Sequence, residues 1–135
     1  MITAVDTNVL IDVFAADPTF GQASAKAVRR CLEEGALVAC AVVWAETATA
    51  FPEQRLFLDA MQTLGVGYSN CGPESALLAA AAWRRYRKKG GSRKRVVADF
   101  LIGSHAQTHC DRLLTRDRGF YRDYFGKLKI IDPTR

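Results

Sequence analysis

Five short, mostly apolar runs recur along the chain with helix-forming stretches between them. That alternation limits the fold more than any other feature. The runs are Ile2 to Val5, Ala36 to Cys40, Val66 to Ser69, Arg112 to Leu114 and Leu128 to Ile131. Their shortness and lack of polar alternation are what strands buried on both faces require. Between the first two, Thr7 or Asn8 can cap a short helix to about Ala15. Asp17-Pro18 then opens a second helix that ends at Glu34 before Gly35. Further helices are expected over Trp44 to Phe51, from Pro52 to Gly65, and from Pro73 into a basic block closed by Gly90-Gly91. Val97 to Cys110 reads as a helix, and Phe120 to Phe125 as one or two turns. Strands alternating with helices across short connections predict a three-layer α/β/α domain with a central, mostly parallel sheet.

The chain has 135 residues, which fits one domain spanning 1–135 with its own core. A composition 49% apolar and 24% charged excludes a largely disordered chain. The longest apolar run, Ala36 to Ala45, is too short to cross a bilayer, so no membrane association is expected. The start, Met1-Ile2-Thr3-Ala4-Val5-Asp6, has no basic segment and soon reaches a carboxylate. It does not read as a secretory signal, and a cytoplasmic protein is expected. Cys31, Cys40, Cys71 and Cys110 are scattered without a CxxC, and are read as reduced and buried.

In parallel α/β folds, chemistry gathers beyond the carboxyl ends of the strands. Asp6 ends the first strand, and Asp117 follows the Leu113-Leu114 strand through Thr115-Arg116. Glu46 lies just after the second strand within Val42-Val43-Trp44-Ala45, where a carboxylate is costly unless paired or metal-bound. Asp99 stands in the first turn of its helix, where the dipole favours an anion. The same helical face continues with Gly103 and Ala106, leaving room for a neighbouring element or a ligand. Each acid also has a structural reading: Asp6 as a helix cap, Asp99 as a dipole complement, Asp117 as a turn former. Four carboxylates drawn to one edge repel and need a counterion. An all-oxygen acidic site suits Mg²⁺ or Mn²⁺, which can activate water and polarise a phosphoryl oxygen.

The net charge is +5, and its distribution is uneven. No acid occurs between Glu74 and Asp99, and that interval holds Arg84, Arg85, Arg87, Lys88, Lys89, Arg93, Lys94 and Arg95, with Trp83 and Tyr86 among them. Such a block can neutralise phosphates while its rings stack on unpaired bases, or it can simply be a solvated helix end. A second basic set, Arg112, Arg116, Arg118 and Arg122, surrounds Asp117. Taken with the acids, this points to phosphodiester hydrolysis. His105 and His109 at i, i+4 beside Cys110 allow a zinc site on spacing alone, but no further ligand is evident and packing is the better reading. Gly90-Gly91-Ser92-Arg93-Lys94 lacks P-loop spacing and follows no strand.

Four blocks carry a resemblance. They are Val5-Asp6-Thr7-Asn8-Val9-Leu10-Ile11-Asp12, Trp44-Ala45-Glu46, Ala98-Asp99-Phe100-Leu101-Ile102-Gly103, and Leu114-Thr115-Arg116-Asp117-Arg118-Gly119-Phe120. In this order and spacing, they resemble the PIN domain family, and within it the VapC-type toxins of prokaryotic toxin–antitoxin pairs. The resemblance implies a Mg²⁺- or Mn²⁺-dependent endoribonuclease. Asp6, Glu46, Asp99 and Asp117 would be its acidic quartet, with Asp6 and Asp99 the most direct metal ligands. Asn8 and Thr115 would hold the carboxylates in place. It also implies a homodimer and an inhibitory VapB-like antitoxin. Two alternatives stand beside it. One is a non-catalytic RNA- or antitoxin-binding module. The other is a haloacid-dehalogenase-like phosphatase, which needs an aspartate two positions after the first, where this chain has Asn8.

Overall fold

The computed structural model describes residues 1–91 and 95–135. Its elements run β1 (Ile2–Val5), α1 (Thr7–Phe14), α2 (Gly21–Glu34), β2 (Ala36–Ala39), α3 (Ala41–Ala48), α4 (Gln54–Leu64), β3 (Val66–Tyr68), α5 (Gly72–Lys88), α6 (Val97–His109), β4 (Arg112–Leu114), α7 (Arg118–Tyr124) and β5 (Lys129–Ile131). The sheet order is β3-β2-β1-β4-β5, and every pairing is parallel. The expected α/β/α architecture with a mostly parallel sheet is therefore correct, and the sheet is parallel throughout. Thr3, Ala4 and Val5 are all buried, as are Arg112, Leu113 and Leu114. Successive strand residues face opposite sides, so both faces of these central strands are covered.

The order contains one reversal. From β1 the chain steps outward to β2 and β3, then returns through α5 and α6 to pair β4 with the other side of β1. The gap between β1 and β4 is thus the topological switch point, where the connections leave in opposite directions and open a crevice. Backbone bonds fasten its floor: Asp6 N donates to Leu114 O (2.9 Å) and Thr115 N to Ile131 O (3.0 Å).

Several expected boundaries move: α2 begins at Gly21 and α4 at Gln54, each a little after the proline expected to open it, and three further changes bear on the site. Asp6 itself caps α1, its carboxylate accepting from Thr7 N at 2.7 Å, so neither Thr7 nor Asn8 is the cap. Helix α3 opens at Ala41, because Cys40 is already extended and its carbonyl accepts from Trp44 N (3.0 Å). That shift places Val43 and Thr47 inside and Glu46 on the exposed side. Helix α7 begins at Arg118, two residues before the expected start. The cysteines are free, but only Cys31 and Cys40 are buried. Cys71 and Cys110 are half-buried.

The small face of α6 is taken by protein. A methyl group built on Gly103 would lie 2.4 Å from Phe125, whose ring is itself locked in the core. The space beside Asp99 thus receives a neighbouring element at Gly103, not a ligand. The His105–His109 pair is also structural. His105 is buried on Ser69 Oγ (2.8 Å), and His109 bonds the Cys71 carbonyl (2.6 Å). Burial, then the neighbouring His109, pull His105 down to about 4, so its ring stays neutral at physiological pH. Gly103→Ala is expected to cost about 1–3 kcal/mol by overpacking, read as a lower urea midpoint with an unchanged slope.

Candidate active site at the β1–β4 switch point

Asp6 sits at the floor of the crevice and is only 6% exposed. Its Oδ1 accepts from Thr7 N, and its Oδ2 from Thr115 Oγ1 (2.8 Å) and Asn8 Nδ2 (3.3 Å). The Tyr121 hydroxyl, buried against it, also favours the charged form. Burial nevertheless dominates. It pushes Asp6 from the ordinary 3.8 up to about 6, and the charge of Asp117 adds to the push. Tyr121 is driven well above its usual range by burial and then by the charges of Asp6 and Asp99, so its phenol stays protonated.

Asp99 enters from the first turn of α6, where its Oδ2 accepts from Val96 N (3.2 Å). Partial burial is the main cause that raises it, and the charge of Asp117 raises it further. Asp117 heads α7. Its backbone N–H donates to Thr115 Oγ1 (3.0 Å), while its carboxylate takes a bidentate ion pair from Arg95, with Nη2 to Oδ1 at 3.1 Å. Glu46 is joined to the group through Thr7, whose hydroxyl donates to Glu46 Oε1 (2.7 Å) while its N–H holds Asp6. Three carboxylates therefore share one electrostatic field, and Glu46 is one residue removed. Glu46 is exposed, so its place in an apolar stretch of sequence reflects a solvent-facing turn of α3 and carries no burial penalty.

Asn8 and Thr115 both donate to Asp6 Oδ2. Asn8 Nδ2 also reaches Thr115 Oγ1 (3.3 Å), and Asn8 Oδ1 accepts from Arg116 N (3.2 Å). Position 8 thus supplies a donor to Asp6 in place of the acid that a haloacid-dehalogenase-like site requires. Among the described residues, no three acids, histidines or cysteines converge as a finished metal cage. The donor set is nonetheless all oxygen. Asp6 and Asp99 are both raised by burial and by Asp117, and Asp117 is charge-matched by Arg95. A site that holds its carboxylates against burial and mutual repulsion suits a hard divalent cation.

Sequence reasoning missed the second network. Asp12 is buried on α1 and accepts from Arg116 Nε (2.7 Å), Arg116 Nη2 (3.0 Å) and Ser24 Oγ (2.8 Å). The same guanidinium lies 4.0 Å over Phe20. Asn8 and Asp12 are four residues apart, so one face of α1 grips both the backbone and the side chain of Arg116 between Thr115 and Asp117. An aspartate in the middle of an otherwise apolar helix was the available signal. Arg112, grouped by sequence with Arg116, is buried at the far end of β4 with Thr3 and Glu34, and the Arg116 side chain is turned onto Asp12, so neither guanidinium pairs with Asp117.

The first basic block divides. Arg84, Arg85, Arg87, Lys88 and Lys89 are exposed at the end of α5. Arg95 turns inward onto Asp117, and Arg93 and Lys94 lie outside the described residues. Trp83 stacks on Phe100, and Tyr86 packs against Phe100 and Tyr124. Those half-buried rings fasten α5 to α6 and α7.

The PIN domain family model matches residues 3–125. The chain belongs to the PIN domain family. Solved structures similar to it include VapBC-1 from nontypeable Haemophilus influenzae (19% identity, all of both chains covered, TM-score 0.77). VapBC2 from Rickettsia felis, bound to a promoter DNA fragment, follows at 15% identity, 98% of each chain and TM-score 0.75. Mycobacterium tuberculosis VapC20, a sarcin-ricin loop cleaving toxin, gives 15% identity, 94% of this chain, 98% of that one and TM-score 0.60. At such identities the likeness establishes the fold. No curated protein matches the chain significantly.

Two outcomes follow from this PIN-domain geometry. Asp99→Asn keeps the acceptor for Val96 N and removes one of the repelling charges, so its melting temperature in chelator should be no lower than that of the natural chain. A clear drop would contradict a repelling cluster. Arg116→Met strands the buried Asp12 carboxylate and should cost about 2–3 kcal/mol in chemical denaturation. The double variant with Asp12→Asn should recover part of that loss.

Proposed function

We propose that this PIN domain, read as one unit over 1–135, is a Mg²⁺- or Mn²⁺-dependent endoribonuclease. It acts as the toxin of a VapBC-type pair, is held inactive by a VapB-like antitoxin, and works as a cytoplasmic homodimer. The observation that carries the proposal is the buried Asp6 carboxylate, raised to about 6, sharing its field with Asp117 at the switch point while Asp117 also raises Asp99. Support for the toxin reading comes from the VapBC character of the structural neighbours, one of them a VapC named for cleaving the sarcin-ricin loop. No helix among the described residues is long and apolar enough to cross a membrane.

In this reading Asp6 and Asp99 hold the divalent ion most directly, and Glu46 and Asp117 complete its surroundings. The chemistry the ion supplies is activation of the attacking water and neutralisation of charge on the phosphoryl oxygens. Thr115, Asn8 and Thr7 N fix the Asp6 carboxylate by three hydrogen bonds, so no rotamer must be found when the substrate arrives. Protonated Tyr121 braces the same carboxylate from the core. Thr7 holds Glu46 toward Asp6. The exposed cations at the end of α5 bind RNA by its phosphates. Their contact is therefore salt-dependent and little concerned with base identity.

The test uses purified chain freed of antitoxin, total cellular RNA, Mg²⁺ or Mn²⁺ against excess chelator, and Asp6→Asn in parallel. Sequencing 5′ ends should reveal discrete cuts that need the metal and vanish in Asp6→Asn. Intact RNA with a folded, metal-binding protein would favour a binding module. A second expectation concerns pH. A carboxyl raised in the folded state contributes stability fully below its ordinary 3.8 and loses it as pH climbs through about 6. A bound cation replaces the proton. The rise in melting temperature on saturating Mn²⁺ should therefore grow between about pH 5 and pH 7. A gain that is flat with pH would argue against Asp6 as a ligand.

A further inference from the structure

The ion pair between Arg95 and Asp117 lies inside the acidic site, and it comes from the same short segment that delivers Asp99. Arg95 stands two residues before α6, and Asp99 in the first turn of that helix. The Arg95 guanidinium meets Asp117 with two nitrogens on two oxygens and lies 4.2 Å over the Phe120 ring. Arg95 and Asp117 are about two-thirds buried, at 29% and 33% side-chain exposure. A planar guanidinium held bidentately and stacked on a ring is a fixed counterion, unlike a solvated lysine. The same guanidinium also lies within the field of Asp99.

We propose that Arg95 is the resident cation of the acidic site and competes with the divalent ion for Asp117, so that the ion must displace the guanidinium to complete its surroundings. The inference rests on the nuclease reading above. Without metal, Arg95 offsets the repulsion among Asp6, Asp99 and Asp117 and ties the α6 and α7 termini together. With metal, the positive charge of Arg95 opposes loading. Arg95 is thus a positioning residue whose effect falls on metal affinity.

The experiment is a Mn²⁺ titration of the full chain followed by electron paramagnetic resonance and by thermal melts. It compares the natural chain with Arg95→Gln, Arg95→Lys and Asp117→Asn, and with Asp117→Asn combined with Arg95→Gln. Arg95→Gln should bind Mn²⁺ about tenfold more tightly, and Arg95→Lys should fall between Arg95→Gln and the natural chain, because an ammonium cannot reproduce the bidentate, stacked pair. In chelator, Arg95→Gln should melt lower, then gain more from Mn²⁺ than the natural chain does. In the Asp117→Asn background, Arg95→Gln should change affinity little, because the group competed for is gone. Equal or weaker Mn²⁺ binding by folded Arg95→Gln would overturn the competition and leave the nuclease reading intact. An equal gain in the Asp117→Asn background would overturn it in favour of long-range charge alone. Failure of every folded form, the natural chain included, to bind Mn²⁺ would instead overturn the metal-dependent reading, and this inference with it.

Discussion

The site depends on the pairing of β4 with β1. Every other strand step runs outward from the centre, but this one returns, and the return opens the crevice that the acids share. The bond from Asp6 N to Leu114 O sets Asp6 beside Thr115, and Thr115 Oγ1 then serves both acids. It donates to Asp6 Oδ2 and accepts from Asp117 N. One threonine hydroxyl thus converts strand register into a fixed relation between two carboxylates. Slipping β4 by a single residue would turn that hydroxyl to the other face of the sheet.

Holding acids this way has a cost, and the surroundings distribute it. Asp6 is raised to about 6 despite its hydrogen bonds, a penalty of roughly 3 kcal/mol for keeping it ionised at neutral pH. The fold tolerates this because the α1 face at Asn8 and Asp12 clamps Arg116 from both ends, and because Arg95 matches the charge of Asp117. Two arginines thereby flank the loop Thr115-Arg116-Asp117, one fastening it to α1 and the other tying its carboxylate to the α6 segment. The loop gains its rigidity from ion pairs of limited exposure, which are worth more than surface pairs when broken singly.

Much of this was legible in the sequence. Short β-branched runs, Gly35 and Gly65 after helices, and Pro73 at a helix start each act locally, so elements and order could be read directly. The acids could be assigned to strand ends for the same reason. The switch point could not, because the same run of strands and helices allows several sheet orders. Burial of individual side chains was also out of reach. Glu46 lay in an apolar stretch and was expected to be costly, yet three residues of helix phase decide that Val43 and Thr47 face inward instead. Gly103 pointed correctly to a close approach, but only the fold identifies Phe125 as the neighbour.

Charge was the least transferable of the sequence signals. A net charge of +5 suggests a basic surface, but it counts Arg95, Arg112 and Arg116, each of which is turned onto a carboxylate within the fold. Their guanidiniums act as structural cations, and they contribute little to any field seen by an approaching polyanion. Among the described residues, five cations cluster in exposed positions at the end of α5. That cluster is anchored close to the acids, because Arg85 bonds the Tyr124 carbonyl and Tyr86 packs on the same ring. Helix α7, which starts immediately after Asp117, is therefore the physical link between the exposed cations and the acidic crevice. Arg95 stands at that link, since it pairs with Asp117 while its guanidinium lies over Phe120 of the same helix.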